Sequence, residues 1–293
     1  MTGSGRTLGD ATFAAERERL IGLAYRITGS RCTAEDLVQD AWLRWQGADH
    51  HAIERPAAWL TTVTSRLALD HLKSARHQRE AYVGPWLPEV VSIEPDPADH
   101  AELAESLTIG FLAMLERLGP TERVVFVLAE VFAVPFDEIA TIVGRSPQAC
   151  RQVASRARSR VREGRPRYAP TDDEAWQVAT AFLLAAQVGD LESLVSLIAD
   201  DALAVSDGGA DHRAARRPVV AARLPRYIVN LATRVPAGAR LTMQPVNGQP
   251  GLVTWVDDRP VMAMAIVVAE AQVHRLYSIL NPDKLRSLTA PPT

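Results

Sequence analysis

The stretch Phe136-Asp137-Glu138-Ile139-Ala140-Thr141-Ile142-Val143-Gly144-Arg145-Ser146-Pro147-Gln148-Ala149-Cys150-Arg151-Gln152 decides how this chain is read. Phe136 to Val143 predicts a short helix, and Gly144 supplies the positive φ that ends it. Ser146 can cap a following helix, and Pro147 suits its first turn. A short helix, a tight glycine turn and a second helix make a helix-turn-helix. The second helix has two opposed stripes. Cys150, Val153, Ala154, Ala157 and Val161 are apolar and face a domain interior, while Gln148, Arg151, Gln152 and Ser155 recur at i, i+3, i+4 and i+7 on the other side. Arginine and glutamine match guanine and adenine edges in the major groove. The start of a recognition helix reaches bases, and basic residues around it grip phosphate. Gln148, Arg151, Gln152 and Ser155 are therefore assigned to bases, and Arg156, Arg158 and Arg162 mainly to phosphates. An ordinary amphipathic helix pair is the plainer alternative; the Gly-x-Ser-Pro turn and the arginine excess favour DNA.

Working outward, charge is unevenly spread. The 293 residues carry a formal charge of -3, with 47% hydrophobic and 23% charged residues, which suits a globular protein and says nothing of nucleic acid. Yet Arg145 to Arg167 holds eight arginines against Glu163 alone, and Glu80 to Glu105 holds seven acids and no Lys or Arg. The acidic stretch also contains Pro85, Pro88, Pro95 and Pro97, so it reads as an extended linker. It could run through basic channels of a partner or lie against the basic helix. Trp86 is its residue best suited to dock, since burying an indole is worth a few kcal/mol. Cys32 and Cys150 make no disulfide framework and read as core residues in a reducing compartment. The absence of a long apolar run or signal-type N-terminus predicts a cytoplasmic protein.

Before the linker, residues 12–28 place Phe13, Leu20, Ala24 and Ile27 at helical spacing. Thr33 reads as the cap of a second helix with apolar Leu37, Val38, Ala41, Trp42 and Trp45 and a polar face at Asp36, Gln39, Asp40 and Arg44. After a polar loop, Gly47 to Arg55, Pro56 opens a long helix with a basic far end. Helical segments follow near 106–117, 121–133 and 136–143. Beyond Arg167 the pattern changes. Two helices, at Asp172–Ala186 and Leu191–Ile198, precede strand-like runs at Ala202–Ser206, Arg240–Val246, Leu252–Val256, Val261–Val268 and Val273–Leu280, with a helix near Val219–Leu231. Helices followed by a strand meander predict a curved α+β domain.

The run Thr33-Ala34-Glu35-Asp36-Leu37-Val38-Gln39-Asp40-Ala41-Trp42-Leu43-Arg44-Trp45 resembles the core-polymerase-binding helix of sigma region 2. Pro56-Ala57-Ala58-Trp59-Leu60 through Arg66 and Lys73 resembles the promoter-melting helix of that domain, and Phe136–Arg162 resembles sigma region 4. The chain thus resembles an extracytoplasmic-function sigma factor. Trp86-Leu87-Pro88-Glu89 in the linker, Asp207-Gly208-Gly209, and Asn281-Pro282-Asp283-Lys284-Leu285 near the end resemble motifs of the SigJ-like group, whose members carry a fused SnoaL-like domain. Two positions depart from those motifs: Val90 stands where proline is usual, and Ala210-Asp211 where Gly-Lys or Gly-Arg is usual. Arg213 is one candidate for the missing charge.

The resemblance implies two all-α domains and an α+β SnoaL-like cone with a curved, mostly antiparallel sheet. The expected boundaries are 9–80 for region 2, 81–105 for the linker, 106–168 for region 4 and 169–293 for the cone. It implies core polymerase (the β′ and β subunits) and promoter DNA as partners, with the free protein a monomer. Asp36, Gln39, Asp40 and Leu43 are expected to bind polymerase. His50, His51, Trp59, Arg66, Lys73, Arg76 and Arg79 are expected at the opened -10 element, where a displaced strand needs pockets and a basic track. Trp86, Leu87, Pro88, Glu89, Asp207, Gly208, Gly209, Asn281, Pro282, Asp283, Lys284 and Leu285 are expected to carry regulatory contacts. No metal, cofactor or catalytic residue is expected; His50 and His51 lack a third ligand.

Two other functions compete. SnoaL-like folds include cyclases and isomerases, and Asp207, Asp211, His212, Tyr227, His274 and Tyr277 are the polar groups such chemistry would draw on. Asp207-Gly208-Gly209 is more simply a tight turn at a strand end. A one-component ligand-responsive repressor would use only the helix-turn-helix, and the Thr33–Trp45 run argues against it. The preferred role of the cone is regulation in cis, with a small ligand as a further candidate partner.

Overall fold

We describe a computed structural model of the chain. It describes residues 3–80, 82–91, 106–162, 171–210 and 214–289, with side chains given from Asp10 in the first helix and through Ala75 in the third. By contact the chain divides into two compact units: Met1–Glu80 with Met114–Glu163, and Ala81–Ala113 with Gly164–Thr293.

In the first unit, helices α1 (Gly3–Thr28), α2 (Arg31–Gln46) and α3 (Pro56–Glu80) enclose a core. Leu20, Ala24 and Ile27 of α1, Leu37, Val38, Ala41 and Trp45 of α2, and Leu60, Ala68 and Leu72 of α3 are buried there. Each set recurs at three- and four-residue steps, the spacing of one helix face. Two expectations are corrected. The cap of α2 is Ser30, whose Oγ accepts the Thr33 N–H at 3.2 Å, so Thr33 lies inside the first turn. Cys32 is exposed on that same turn, whereas Cys150 is buried as expected of a core thiol.

After α4 (Ile109–Leu115), helix α5 (Pro120–Phe126) widens into a π turn at Val127–Val131. The segment expected as one helix over 121–133 is therefore two kinds of turn. Helices α6 (Phe136–Val143) and α7 (Pro147–Arg162) form the helix-turn-helix. Gly144, at φ 69°, closes α6 with its N–H on the Ala140 carbonyl at 2.9 Å, and Ser146 Oγ accepts the Ala149 N–H at 3.2 Å. The apolar stripe of α7, from Cys150 to Val161, is buried throughout. Buried Arg123 of α5 ties these helices to α1, donating to the Ile27 carbonyl at 3.1 Å and to the Glu116 carboxylate.

The second unit contains α8 (Asp172–Val188), α9 (Leu191–Leu197), α10 (Leu224–Ala232) and strands β1 (Ile198–Asp207), β2 (Val219–Val220), β3 (Arg240–Val246), β4 (Gln249–Val256), β5 (Arg259–Ala269) and β6 (Gln272–Ile279). The strands form one six-stranded sheet in the order β2-β1-β6-β5-β4-β3. Among the described residues only β1 and β6 pair in parallel. The helix expected over Val219–Leu231 is β2, a 3₁₀ turn and α10 in succession. Side chains alternate across the sheet. On one face Ala204, Met264, Ile266 and Leu276 pack under α8, α9 and α10. On the other Val253, Trp255, Ala263, Ala265 and Ile279 pack with Leu87, Val90, Ile109, Leu285 and Leu288. The sheet is thus covered on both faces, and the second cover comes partly from the segment read as linker.

Candidate functional site

Three surfaces carry the residues expected to act. On α7, Gln148, Arg151, Gln152, Ser155, Arg156 and Arg162 are all exposed, opposite the buried stripe. The Arg151 guanidinium lies 5.5 Å from the centre of the Phe136 ring, which orients it without using its donors. Arg158 is held by an acidic partner. Its guanidinium makes paired bonds of 2.8 and 2.6 Å to the Glu130 carboxylate on the π turn. Widening the helix there presents Glu130 to α7, which sequence periodicity did not reveal.

On α2, Asp36, Gln39, Asp40 and Leu43 line one exposed face, with Leu43 56% exposed, while Trp45 is buried behind it and Trp42 is half-buried. In the following loop, a single 3₁₀ turn at His50–Ala52 is capped by Asp49, which accepts the His51 N–H at 3.1 Å. His50 stacks on Trp45 at 4.1 Å, and its Nε2 donates to the Trp45 carbonyl at 2.8 Å. Trp59 meets the other side of the cluster, 5.5 Å from the Trp45 ring. The two histidines therefore part company: His50 is anchored and His51 is exposed. On α3, Lys73 is exposed, and Arg66 donates to the Thr141 carbonyl of α6 at 2.8 Å. Arg55 in the loop pairs with Glu138 of α6 at 2.7 Å. The side chains of Arg76 and Arg79 lie outside the described residues.

The third surface is centred on Asp207. Its side chain is completely buried at the end of β1. Its carboxylate accepts from Tyr82 Oη at 2.5 Å, the Leu87 N–H at 2.8 Å, the Gly209 N–H at 3.0 Å and Lys284 Nζ at 2.7 Å. Lys284 also donates to the Leu87 carbonyl at 2.5 Å and lies 3.9 Å from the centre of the Trp86 ring. Asn281 Nδ2 donates to Tyr82 Oη at 2.9 Å. A Cβ at Gly209 would stand 2.9 Å from that Asn281 nitrogen, and the backbone there has φ 63°, so glycine is required twice over. The turn reading of Asp207-Gly208-Gly209 is right locally and incomplete: the turn presents a carboxylate that gathers Tyr82–Leu87 and Asn281–Lys284 into one cluster. Pro88 and Glu89 are buried beside it, as is Leu285, and Pro282 and Asp283 are exposed.

The docking continues past the expected motifs. The Val90 N–H donates to the Lys284 carbonyl at 2.9 Å, and Ser287 Oγ donates to the Val90 carbonyl. Buried Asn247, held at φ 49° in the β3–β4 turn, accepts the Val91 N–H at 2.9 Å and donates to the Leu107 carbonyl at 2.9 Å. Tyr82, Asn247 and Ser287 were not foreseen; Asn247-Gly248 signals only a turn when read alone. Burial and the bond to Asp207 push the Tyr82 phenol pKa above its ordinary value.

Residues 12–78 match the Sigma-70 region 2 model, and residues 110–161 match the Sigma-70, region 4 model. The ECF RNA polymerase sigma factor SigJ of Mycobacterium tuberculosis is 41% identical over 93% of this chain and 91% of its own length. The chain belongs to the extracytoplasmic-function sigma factors. The probable ECF RNA polymerase sigma factor SigI of the same species is 35% identical over 96% of both chains. The crystal structure of Mycobacterium tuberculosis SigJ matches with 39% identity and a TM-score of 0.75, covering 94% of this chain and 98% of that one. This sigma factor therefore combines region 2 and region 4 with a further α+β domain.

In the cone of the sigma factor, the groups that acid–base chemistry would draw on are dispersed. Asp207 is consumed by the docked linker. Tyr227 of α10 bonds Ser206 at 3.1 Å under the helical cover. Tyr277 is buried on the opposite face of the sheet with Trp255 and Ile109. His274 pairs with Asp201 at 3.0 Å. Asp211, His212 and Arg213 lie outside the described residues, as does most of the acidic run, residues 92–105. Among the described residues no cluster of metal-ligating side chains occurs, and no helix is long and apolar enough to cross a membrane.

Proposed function

We propose that Asp36, Gln39, Asp40 and Leu43 bind core polymerase, that the start of α7 reads the -35 element, and that the docked linker is the element through which the cone regulates initiation. The observation that carries this reading is the exposed face of α2. Leu43 stands uncovered amid three polar side chains, as an anchor ringed by polar groups at a partner surface would. His51 in the loop, and Trp59 and Lys73 on α3, are assigned to the opened -10 strand. Arg66 gives only one of its guanidinium nitrogens to the Thr141 carbonyl, which leaves further N–H groups for that strand. The scattered acid–base groups support a cone without catalysis. Such a factor works where the chromosome is, in the cytoplasm.

The test uses the full chain, purified bacterial core polymerase and a promoter template selected from a random library. Gln39→Ala with Asp40→Ala is expected to weaken polymerase association at least ten-fold while leaving duplex binding by α7 unchanged. Polymerase association that the double variant does not disturb would refute the assignment. Binding to an operator with no association with polymerase would favour the repressor reading.

A further inference from the structure

The arginines of α7 are held in two different ways. Arg158 is bonded to the Glu130 carboxylate, and Arg160 to the Glu122 carboxylate at 2.7 Å. A carboxylate occupies the N–H edge of a guanidinium, the same edge that pairs with a base. Arg151, the first arginine of α7, is held by a ring instead. Its guanidinium lies 5.5 Å from the centre of the Phe136 ring, and among the described residues no hydrogen bond or ion pair engages its N–H groups. A ring attracts the cation through its negative face and leaves the donors at the edge unused.

The core fixes both ends of this contact. Phe136 opens α6, and the Pro135 carbonyl before it accepts the Glu138 and Ile139 N–H groups, both at 3.0 Å. Ile139 is completely buried three residues on. Arg151 follows Cys150, which is also completely buried. In a helix each Cα–Cβ bond tilts toward the N-terminus, so the Arg151 side chain leans back over the start of α7, the part that meets bases. Phe136 is thus a half-buried platform on a fixed backbone, and the arginine stacked on it is exposed.

We infer that Phe136 is a specificity-determining residue of the helix-turn-helix, which positions Arg151 so that its N–H edge pairs with one guanine of the -35 element. The inference rests on the assignment of Arg151 to bases. An arginine side chain has many rotamers, and few of them present two donors to the O6 and N7 of a guanine. Apparent affinity scales with the fraction of the protein already in the competent arrangement. An exposed cation–π contact shifts such a population by about two- to five-fold. Phe136 acts through Arg151, so its influence falls on one base pair.

The test uses the full chain with purified bacterial core polymerase and a duplex promoter selected from a random library. Variants of that promoter carry adenine in place of each guanine of the -35 element in turn. Arg151→Ala identifies the guanine that Arg151 reads, as the position where preference over adenine is lost. Phe136→Leu keeps an apolar cover and removes the ring. It is expected to lower the preference for that guanine about two- to five-fold and to leave the other positions unchanged. Phe136→Tyr, which restores a ring face, is expected to retain the native preference. In an Arg151→Ala background Phe136→Leu is expected to add nothing. Pentafluorophenylalanine at position 136 keeps the shape of the ring and inverts the charge of its face, so it should reproduce the loss. It also keeps the test open if leucine disturbs the fold. A loss spread evenly over all sequences, or an equal loss with and without Arg151, would make the ring a structural cover and overturn the inference. So would an unchanged or sharpened preference in Phe136→Leu while Arg151→Ala loses its guanine; that result leaves the base assignment standing. Arg151→Ala with every preference intact would overturn the base assignment and the inference together.

Discussion

Asp207 shows how much one buried carboxylate can organise. It has four donors, two from the linker, one from its own turn and one from Lys284. Burying an isolated charge would be prohibitive, and the site is stable because each lone pair is met. Removing one partner leaves the other uncompensated. Lys284→Met is therefore expected to cost about 3–5 kcal/mol, read as a lower urea midpoint. Tyr82 gives the same cluster a pH dependence. Its pKa is raised on folding, so the neutral phenol is the form that docks. The contribution is complete below the unfolded value, about 10, and declines as pH rises above it. Stability should therefore fall more steeply above pH 10 in the native chain than in Tyr82→Phe, and identical slopes there would contradict the bond. Val90 explains a departure from the family motif. Its N–H serves the Lys284 carbonyl, and proline has no such donor. Val90→Pro is expected to destabilise by about 1–3 kcal/mol through that orphaned carbonyl.

At the scale of elements, α7 was legible because both its signals are local. Gly144 and Ser146 mark its start, and the Cys150–Val161 stripe repeats at helical spacing on the face that is buried. The docked linker was only half legible. Its motifs could be picked out, but their meeting depends on pairings 120 residues apart, such as Leu87 with Asp207. Periodicity carries no information at that range; the β1–β6 register supplies it. The π turn was illegible for a different reason: its residues are ordinary helix formers, and only packing reveals the widened turn. That turn has a measurable effect. Glu130 holds Arg158 by paired bonds at a partly exposed site, so the pair itself is worth little and its dissolution is cheap. Glu130→Gln frees a guanidinium for phosphate. The variant should bind duplex promoter DNA more tightly at low salt, with the slope of log K against log salt steeper by about 0.9, one phosphate's share. Equal slopes would mean that Arg158 either leaves Glu130 on binding anyway or never reaches phosphate.

At the scale of the whole molecule, the linker belongs structurally to the cone, and this changes how regulation can be examined. Leu87, Val90 and Ile109 are buried against the outer face of the sheet with Val253, Trp255 and Ile279. A fragment ending near residue 168 would expose those side chains. Each is worth about 1.5–3 kcal/mol of lost burial, and together they form a sticky patch. Aggregation of such a fragment would say nothing about inhibition by the cone. Full-length point variants avoid the difficulty. Asp207→Asn keeps the shape of the side chain and removes the charge that Lys284 neutralises. It is expected to open the linker locally while the sheet persists, because the strand ladders on both sides of β1 remain. Limited proteolysis should then cut within 82–91 at least ten-fold faster than in the native chain, with the far-ultraviolet dichroism unchanged. If the cone regulates through this dock, the same variant should alter promoter-directed transcription with no change in the duplex affinity of α7. Faster cleavage with unaltered transcription would separate the dock from regulation and leave it a purely structural clasp.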